Sequence, residues 1–186
     1  MALKYILLGL LSEPASGYEL KKAFDASLNH FWAAELSQIY PTLKKMKSEK
    51  LIVSKIMRSA IGPDKKLYSR TKKGKEELLK WLSGKPLYGY YRFNYAAQAF
   101  FLSEKKDPEK ALQFYCELKE MFQKKLAELE QIQESLKGME PGWLDALPDD
   151  SFYPYLTLRM GMHKMAGNIA WCDECIAHIE RRVHKK

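Results

Sequence analysis

Two groups of residues in this chain have the types and spacing to act on something outside the protein. Leu36, Ile39, Leu43 and Met46 recur at spacings of three, four and three, so they share one face of a helix. The opposite face then presents Ser37, Gln38, Tyr40, Pro41, Thr42, Lys44 and Lys45. Hydroxyl, amide and ammonium groups in a row on a helix are what base edges and phosphates require. Tyr40 can also be read as a core aromatic beside Ile39. The second group is Lys55, Arg58, Lys65 and Lys66, on either side of the turn Ile61-Gly62-Pro63-Asp64. A two-stranded ribbon carrying those cations can follow a phosphate backbone beside the helix.

Other residues invite chemistry and do not carry it. Cys172-x-x-Cys175, with His163 and His178 nearby, has the residue types of a metal or redox site. On one straight helix these groups spread along the axis, and a fourth ligand has to come from elsewhere. We therefore expect no metal, no redox role and no cofactor. Thr71-Lys72-Lys73-Gly74 lacks the spacing of a phosphate-binding loop. No nucleophile–base arrangement and no carboxylate pair stands out, so an enzyme is not expected.

The charge distribution supports the first reading. The net charge is +8 over 186 residues. Residues 1–83 hold sixteen Lys and Arg against eight Asp and Glu, whereas residues 84–186 hold fifteen of each. A basic half joined to a neutral half implies that one half meets a polyanion while the other does something else. No apolar run approaches the roughly 20 residues of a membrane span. The opening MALKYILLGLLSEP lacks a small-x-small cleavage site and reads as a buried first helix. Three cysteines without framework spacing indicate a cytoplasmic protein.

The elements that must position these residues follow from periodicity. Leu3, Ile6, Leu7, Leu10 and Leu11 give helix one, which ends before Pro14. Ser16-Gly17-Tyr18-Glu19 reads as a capping box opening helix two, with Leu20, Phe24 and Leu28 inward. Helix three starts near Leu36 or Ser37. With Ser37 as its cap, Pro41 falls in the first turn and the helix survives it. Leu51–Met57 and Lys65–Arg70 form a hairpin, and Thr71 caps a fourth helix bearing Leu78, Leu79, Trp81 and Leu82. Three helices, a basic hairpin and a further helix are the parts of a winged helix-turn-helix.

Ser83-Gly84-Lys85-Pro86 marks the expected boundary between a winged-helix domain, 1–83, and a helical domain, 84–186. An aromatic helix runs from about Tyr90 to Leu102, a long helix from Pro108 to about Lys137, and a last one from about Phe152 to Val183. The seam of the last is Tyr155, Leu158, Met162, Met165, Ile169, Cys172, Ile176, Ile179 and Val183, alternating three and four for four heptads. This seam is expected to pair with a second protomer. The rings of Tyr88, Tyr90, Tyr91, Phe93, Tyr95, Phe100, Phe101, Trp143, Tyr153 and Trp171 are either core or the walls of a pocket for a planar phenol.

LKYILLGLL, SGYEL, SQIYPTLKKM and PDKKLYSRTKKGKEELLKWL, in that order, resemble the PadR family of bacterial transcriptional regulators over about residues 2–83. HFWAAELSQIYP looks most like its phenolic-acid-responsive subgroup, and the C-terminal half resembles, more loosely, that subgroup's virulence-activator-like helical domain. The resemblance implies a homodimer on a palindromic double-stranded operator, and repression released by a small ligand, phenolic in that subgroup. Carried onto matching positions, Ser37, Gln38, Tyr40, Pro41 and Lys44 meet the groove, and Lys65 and Lys66 form the wing tip. Ser16, Tyr18 and Lys45 complete the DNA-binding set. The candidate effector site, at the hinge between the halves, has Tyr91, Tyr95 and Trp171 as ring contacts and Arg92, Arg159 and His163 as carboxylate partners. Two features depart from the family pattern: Lys50 stands where glycine is common, and YGYYRFNYAAQAFF is unusually aromatic. The competing reading is a winged-helix protein-interaction or architectural module without an effector. The fold expected is mainly α, a winged helix-turn-helix with a small β-hairpin wing plus an α-helical C-terminal dimerisation domain.

Overall fold

The computed structural model describes residues 2–58, 64–87, 89, 92–136 and 142–183. The chain divides into two compact units, Met1–Tyr88 and Gly89–Lys186. The first contains α1 (Leu3–Leu10), β1 (Ala15–Ser16), α2 (Gly17–Ser27), α3 (Leu36–Ser48), β2 (Ile52–Met57), β3 (Lys65–Arg70) and α4 (Lys72–Leu82). The second contains α5 (Asn94–Phe100), a 3-10 helix (Leu102–Lys105), α6 (Pro108–Leu136) and α7 (Asp149–Val183). No described helix is long and apolar enough to cross a membrane.

In the first unit the apolar faces of three helices close on the root of a small sheet. Leu7, Leu8, Leu20, Phe24, Ile39, Leu43, Met46 and Ile52 are buried together. Burial of each such side chain contributes about 1.5–3 kcal/mol. The sheet has the order β1-β3-β2, with β2 and β3 antiparallel from Ile52 opposite Arg70 to Met57 opposite Lys65. β1, only two residues long, escapes any periodicity argument; it pairs Ala15 with Tyr68 and Ser16 with Leu67. The expected turn at the hairpin tip lies outside the described residues except for Asp64.

Two junctions hold the hairpin in place. α3 ends in a Schellman motif: the Leu51 amide donates to the Met46 carbonyl at 2.9 Å and the Lys50 amide to that of Lys47 at 3.0 Å. Lys50 itself has φ of 60°, so this lysine occupies the left-handed conformation that glycine adopts without cost. At the other junction Thr71 caps α4, its hydroxyl accepting from the Gly74 amide at 3.0 Å. A Cβ on Gly74 would stand 2.1 Å from the Leu51 carbonyl oxygen, so only glycine lets α4 start this close to the sheet. Farther along, Tyr5 of α1 stacks on Trp81 at 4.8 Å, and Lys4 pairs with Glu77 at 3.0 Å.

In the second unit α6 and α7 run antiparallel, as Lys119 pairs with Asp173 while Gln133 bonds the Tyr155 hydroxyl. α7 begins at Asp149, before the expected Phe152, and continues through Pro154. From Tyr155 to Cys172 the heptad seam packs within its own chain. Tyr155, Leu158, Met165 and Cys172 are buried against Leu118, Phe122 and Leu129 of α6, with Met162 and Ile169 packed on the same cluster. The physical reason is that α6 supplies the matching apolar face on a covalently linked neighbour. Ile176 and Ile179 are half-buried and Val183 is exposed. The stripe left uncovered on α7 is a different one, Tyr153, Leu156 and Met160. On α6, Leu118, Phe122 and Leu129 are buried and Leu136 is exposed. The expected end of α6, at about Lys137, lies outside the described residues.

Candidate nucleic-acid interface

α3 buries Ile39, Leu43 and Met46 and exposes Ser37, Gln38, Tyr40, Pro41, Lys44 and Lys45. Its cap is Glu35, not Ser37. The Glu35 amide donates to Gln38 Oε1 at 3.1 Å, which ties down one side of the Gln38 amide and leaves its NH2 free to donate. With the helix starting at Leu36, Pro41 is its sixth residue and lies beyond the first turn. Its ring removes the bond that would reach back to Ser37, whose exposure leaves that carbonyl to water. Thr42 is half-buried and its hydroxyl donates to the Gln38 carbonyl at 2.7 Å, so its side chain serves the helix itself.

Tyr40 resolves into a mixed role. It is 47 % exposed, yet its ring lies across the first turn of α2: a Cβ on Gly17 would stand 2.6 Å from Tyr40 Cε1. Gly17 is buried beneath it. This contact fixes α3 against the α2 N-terminus, and it was not visible in the sequence because Gly17 reads there only as part of a cap. At that N-terminus Ser16 and Glu19 form the expected capping box. The Ser16 amide donates to Glu19 Oε2 at 2.7 Å and the Glu19 amide to Ser16 Oγ at 3.3 Å. The Ser16 amide holds the Glu19 carboxyl below the usual carboxylate range, with a smaller attraction from Lys65. Tyr18 projects freely from the same turn, 70 % exposed.

The wing cations divide by face. Successive strand residues point to opposite sides, so Lys65 and Lys66, adjacent and both exposed, do not act as one pair. Lys66 shares the face of Tyr68 and extends over its ring at 5.7 Å. Lys65 shares the other face with Lys55, Met57 and Val53. Arg70, at the root of the hairpin, is structural: its guanidinium donates to the Leu8 carbonyl at 2.9 Å. Lys21 is likewise occupied, paired with Asp25 and 3.6 Å from Glu35. Among the described residues, Lys44, Lys65 and Lys66 have no ion-pair partner, whereas Lys45 lies 4.0 Å from Glu49.

The effector residues expected from sequence are not assembled into one site in the second unit. Tyr91 lies outside the described residues. Tyr95 is packed edge-on against Phe122 at 5.3 Å, stacked on Phe93 and 6.2 Å from Trp171. Burial raises the pKa of its hydroxyl, with a smaller opposing influence from the Asn168 side chain. Arg92 and His163 are exposed. Arg159 approaches Gln133 at 3.5 Å. Twelve residues of one helix separate Arg159 from Trp171, about 18 Å along the axis, too far for one phenolic acid to bridge. Cys172 is buried, Cys175 half-buried and Cys116 exposed. No group of three or more metal-ligating side chains occurs among the described residues.

Comparison with known proteins adds the following. Residues 6–80 match the transcriptional regulator PadR-like family, and residues 97–180 match the virulence activator alpha C-terminal family. The chain is similar to the negative transcriptional regulator PadR of Bacillus subtilis, 32 % identical over 181 residues, 96 % of this chain and 98 % of that one. The crystal structure of B. subtilis PadR in complex with operator DNA superposes with a TM-score of 0.79 at 30 % identity, covering 96 % of this chain and 99 % of that one. The crystal structure of the same regulator in complex with p-coumaric acid gives 0.70 at 29 % identity, over 96 % of each.

Proposed function

Because the chain belongs to the PadR-like family of transcriptional regulators, which are not enzymes, we propose that it is a cytoplasmic repressor that binds a palindromic operator as a homodimer and is released by a small aromatic acid. The observation that carries the DNA-binding part is the exposed outer face of α3, where Ser37, Gln38, Lys44 and Lys45 stand clear of the core in the half of the chain that holds all the excess positive charge. In this reading α3 enters the major groove, with Gln38 donating to a base edge and Lys44 and Lys45 meeting phosphates or guanine. Ser16, Tyr18 and Tyr40 line the backbone beside the α2 N-terminus, and Lys65 and Lys66 hold the neighbouring phosphates from two sides of the wing.

The second protomer covers the outer stripe of α7. Tyr153, Leu156 and Met160 are exposed at helical spacing, and His163, Gly167 and Ala170 continue the same line of exposed residues. Burying Leu156 and Met160 contributes about 1.5–3 kcal/mol each. Release by an aromatic acid is supported by the solved complex of the B. subtilis relative with p-coumaric acid.

The test is operator binding by the purified protein on duplexes drawn from upstream of its own gene. A palindrome bound much more tightly than its scrambled sequence, and released by millimolar p-coumarate, is the expected result. Equal affinity for scrambled DNA would favour the architectural reading, and retention of the operator in p-coumarate would remove the aromatic effector.

A further inference from the structure

Away from the DNA-facing residues, the second unit contains a cavity of about 490 Å³ where the 3-10 helix, the start of α6 and the end of α7 meet. That size lies in the range of small-molecule sites. Leu102, Ala111, Tyr115 and Ile179 provide its apolar wall, and Lys106 and Arg182 stand on its rim. Neither cation has an ion-pair partner among the described residues. Asp107 is also on the rim, but its charge is already engaged. Oδ1 accepts from the Glu109 and Lys110 amides, both at 3.1 Å, and Oδ2 lies 3.5 Å from Lys110 Nζ. The same bonds mean that the α6 N-terminus is capped from within and contributes no free amide there.

The floor of the cavity is well fixed. Tyr115 meets Trp171 edge-on at 5.5 Å and Phe114 at 5.3 Å. Burial pushes its hydroxyl up to about 12, with the Cys175 thiol a smaller influence in the same direction, so it stays neutral. A larger cavity of about 690 Å³ lies between α5 and α6, but its rim offers no net positive charge. There Lys125 is paired with Glu128 at 2.9 Å, and Glu117 stands on the same rim.

We propose that the cavity bounded by Lys106, Tyr115 and Arg182 binds an apolar monocarboxylate, its carboxylate between the two cations and its hydrocarbon or ring against Tyr115 and Ile179. The proposal rests on the reading of this chain as an acid-responsive regulator and gives that response a site. An unpaired ammonium and an unpaired guanidinium next to an apolar hollow satisfy both ends of such a ligand at once, whereas either feature alone satisfies one.

The experiment uses the full-length protein and calorimetric titration with p-coumarate, octanoate and the uncharged methyl ester of p-coumaric acid. The variant is Lys106→Asn with Arg182→Gln. Both residues are exposed, and asparagine tolerates the φ of 50° at position 106. A second variant, Ala111→Phe, fills the apolar end. The expected result is at least a tenfold rise in Kd for the acids in the double variant, less than a twofold change for the ester, and weaker binding of all three in Ala111→Phe. Octanoate binding as well as p-coumarate marks the site as one for any apolar acid; p-coumarate alone marks it as aromatic. If wild-type and double variant bind p-coumarate equally and both release the operator, the site is elsewhere and the regulator reading stands. If no acid binds the wild-type protein while it still holds its operator, the acid-response reading fails and this site with it.

Discussion

Gln38 has two roles that one pair of substitutions separates. Its Oε1 caps α3 through the Glu35 amide, while its NH2 faces outward. Gln38→Glu keeps the capping oxygen and places a negative charge at a helix N-terminus, where it is favourable. Its urea midpoint should match or exceed wild type, while operator affinity falls by about 1–3 kcal/mol at one base pair, read by a substitution series in the DNA. Gln38→Ala should lose both, with about 1 kcal/mol less stability. Equal operator affinity in Gln38→Glu would remove this residue from base reading. Lys50 tests a different point: at φ of 60° a lysine carries steric strain that glycine does not. Lys50→Gly should therefore stabilise the first unit by about 1 kcal/mol in equilibrium denaturation, less whatever the glycine gains in the unfolded chain. A lower midpoint would mean that the Lys50 side chain contributes more than its backbone costs.

At the scale of elements, the wing is a ribbon with two charged faces. Lys65→Ala and Lys66→Ala should each lower the slope of log affinity against log salt by about 0.9, and together by nearly twice that, because phosphate contacts release counterions independently. A single mutant that leaves the slope unchanged identifies the face turned away from DNA. The elements themselves were largely legible from sequence. Helical spacing points to the helices of the first unit, and two short runs flanking a Gly-Pro turn point to the hairpin, because both signals reside in neighbouring residues. β1 was not legible, since two residues carry no period and its pairing with Tyr68 is set by the fold. The α3 cap was placed two residues late because Ser37 is the better cap by type, whereas Glu35 and Gln38 satisfy each other through a longer side chain. The α7 seam was legible as a seam but not as to its partner. A heptad pattern states that a stripe is covered, and from Tyr155 to Cys172 the covering face is α6.

For the whole molecule, this distinction decides what holds two protomers together. Leu158 lies in the core of the second unit, 4 % exposed, so Leu158→Ala should lower stability by about 2–5 kcal/mol. Leu156 and Met160 are about half exposed, and Leu156→Glu with Met160→Glu should leave the helical content intact while shifting sedimentation from dimer to monomer. A dimer that survives this change would place the interface on another face. In the proposed reading, the basic unit meets DNA and the neutral unit pairs and senses. Linking two half-sites in one particle raises affinity without any new contact. The most direct test of the account is therefore competition on DNA: measure affinity for the palindrome and for its scrambled duplex across a salt series, at protein concentrations where the dimer is intact. The account predicts a steep loss of affinity with salt on both duplexes and, at about 0.15 M salt, a preference for the palindrome of about 10³-fold or more. Equal affinity for the two duplexes at every salt concentration, or no binding even at low salt, would contradict it.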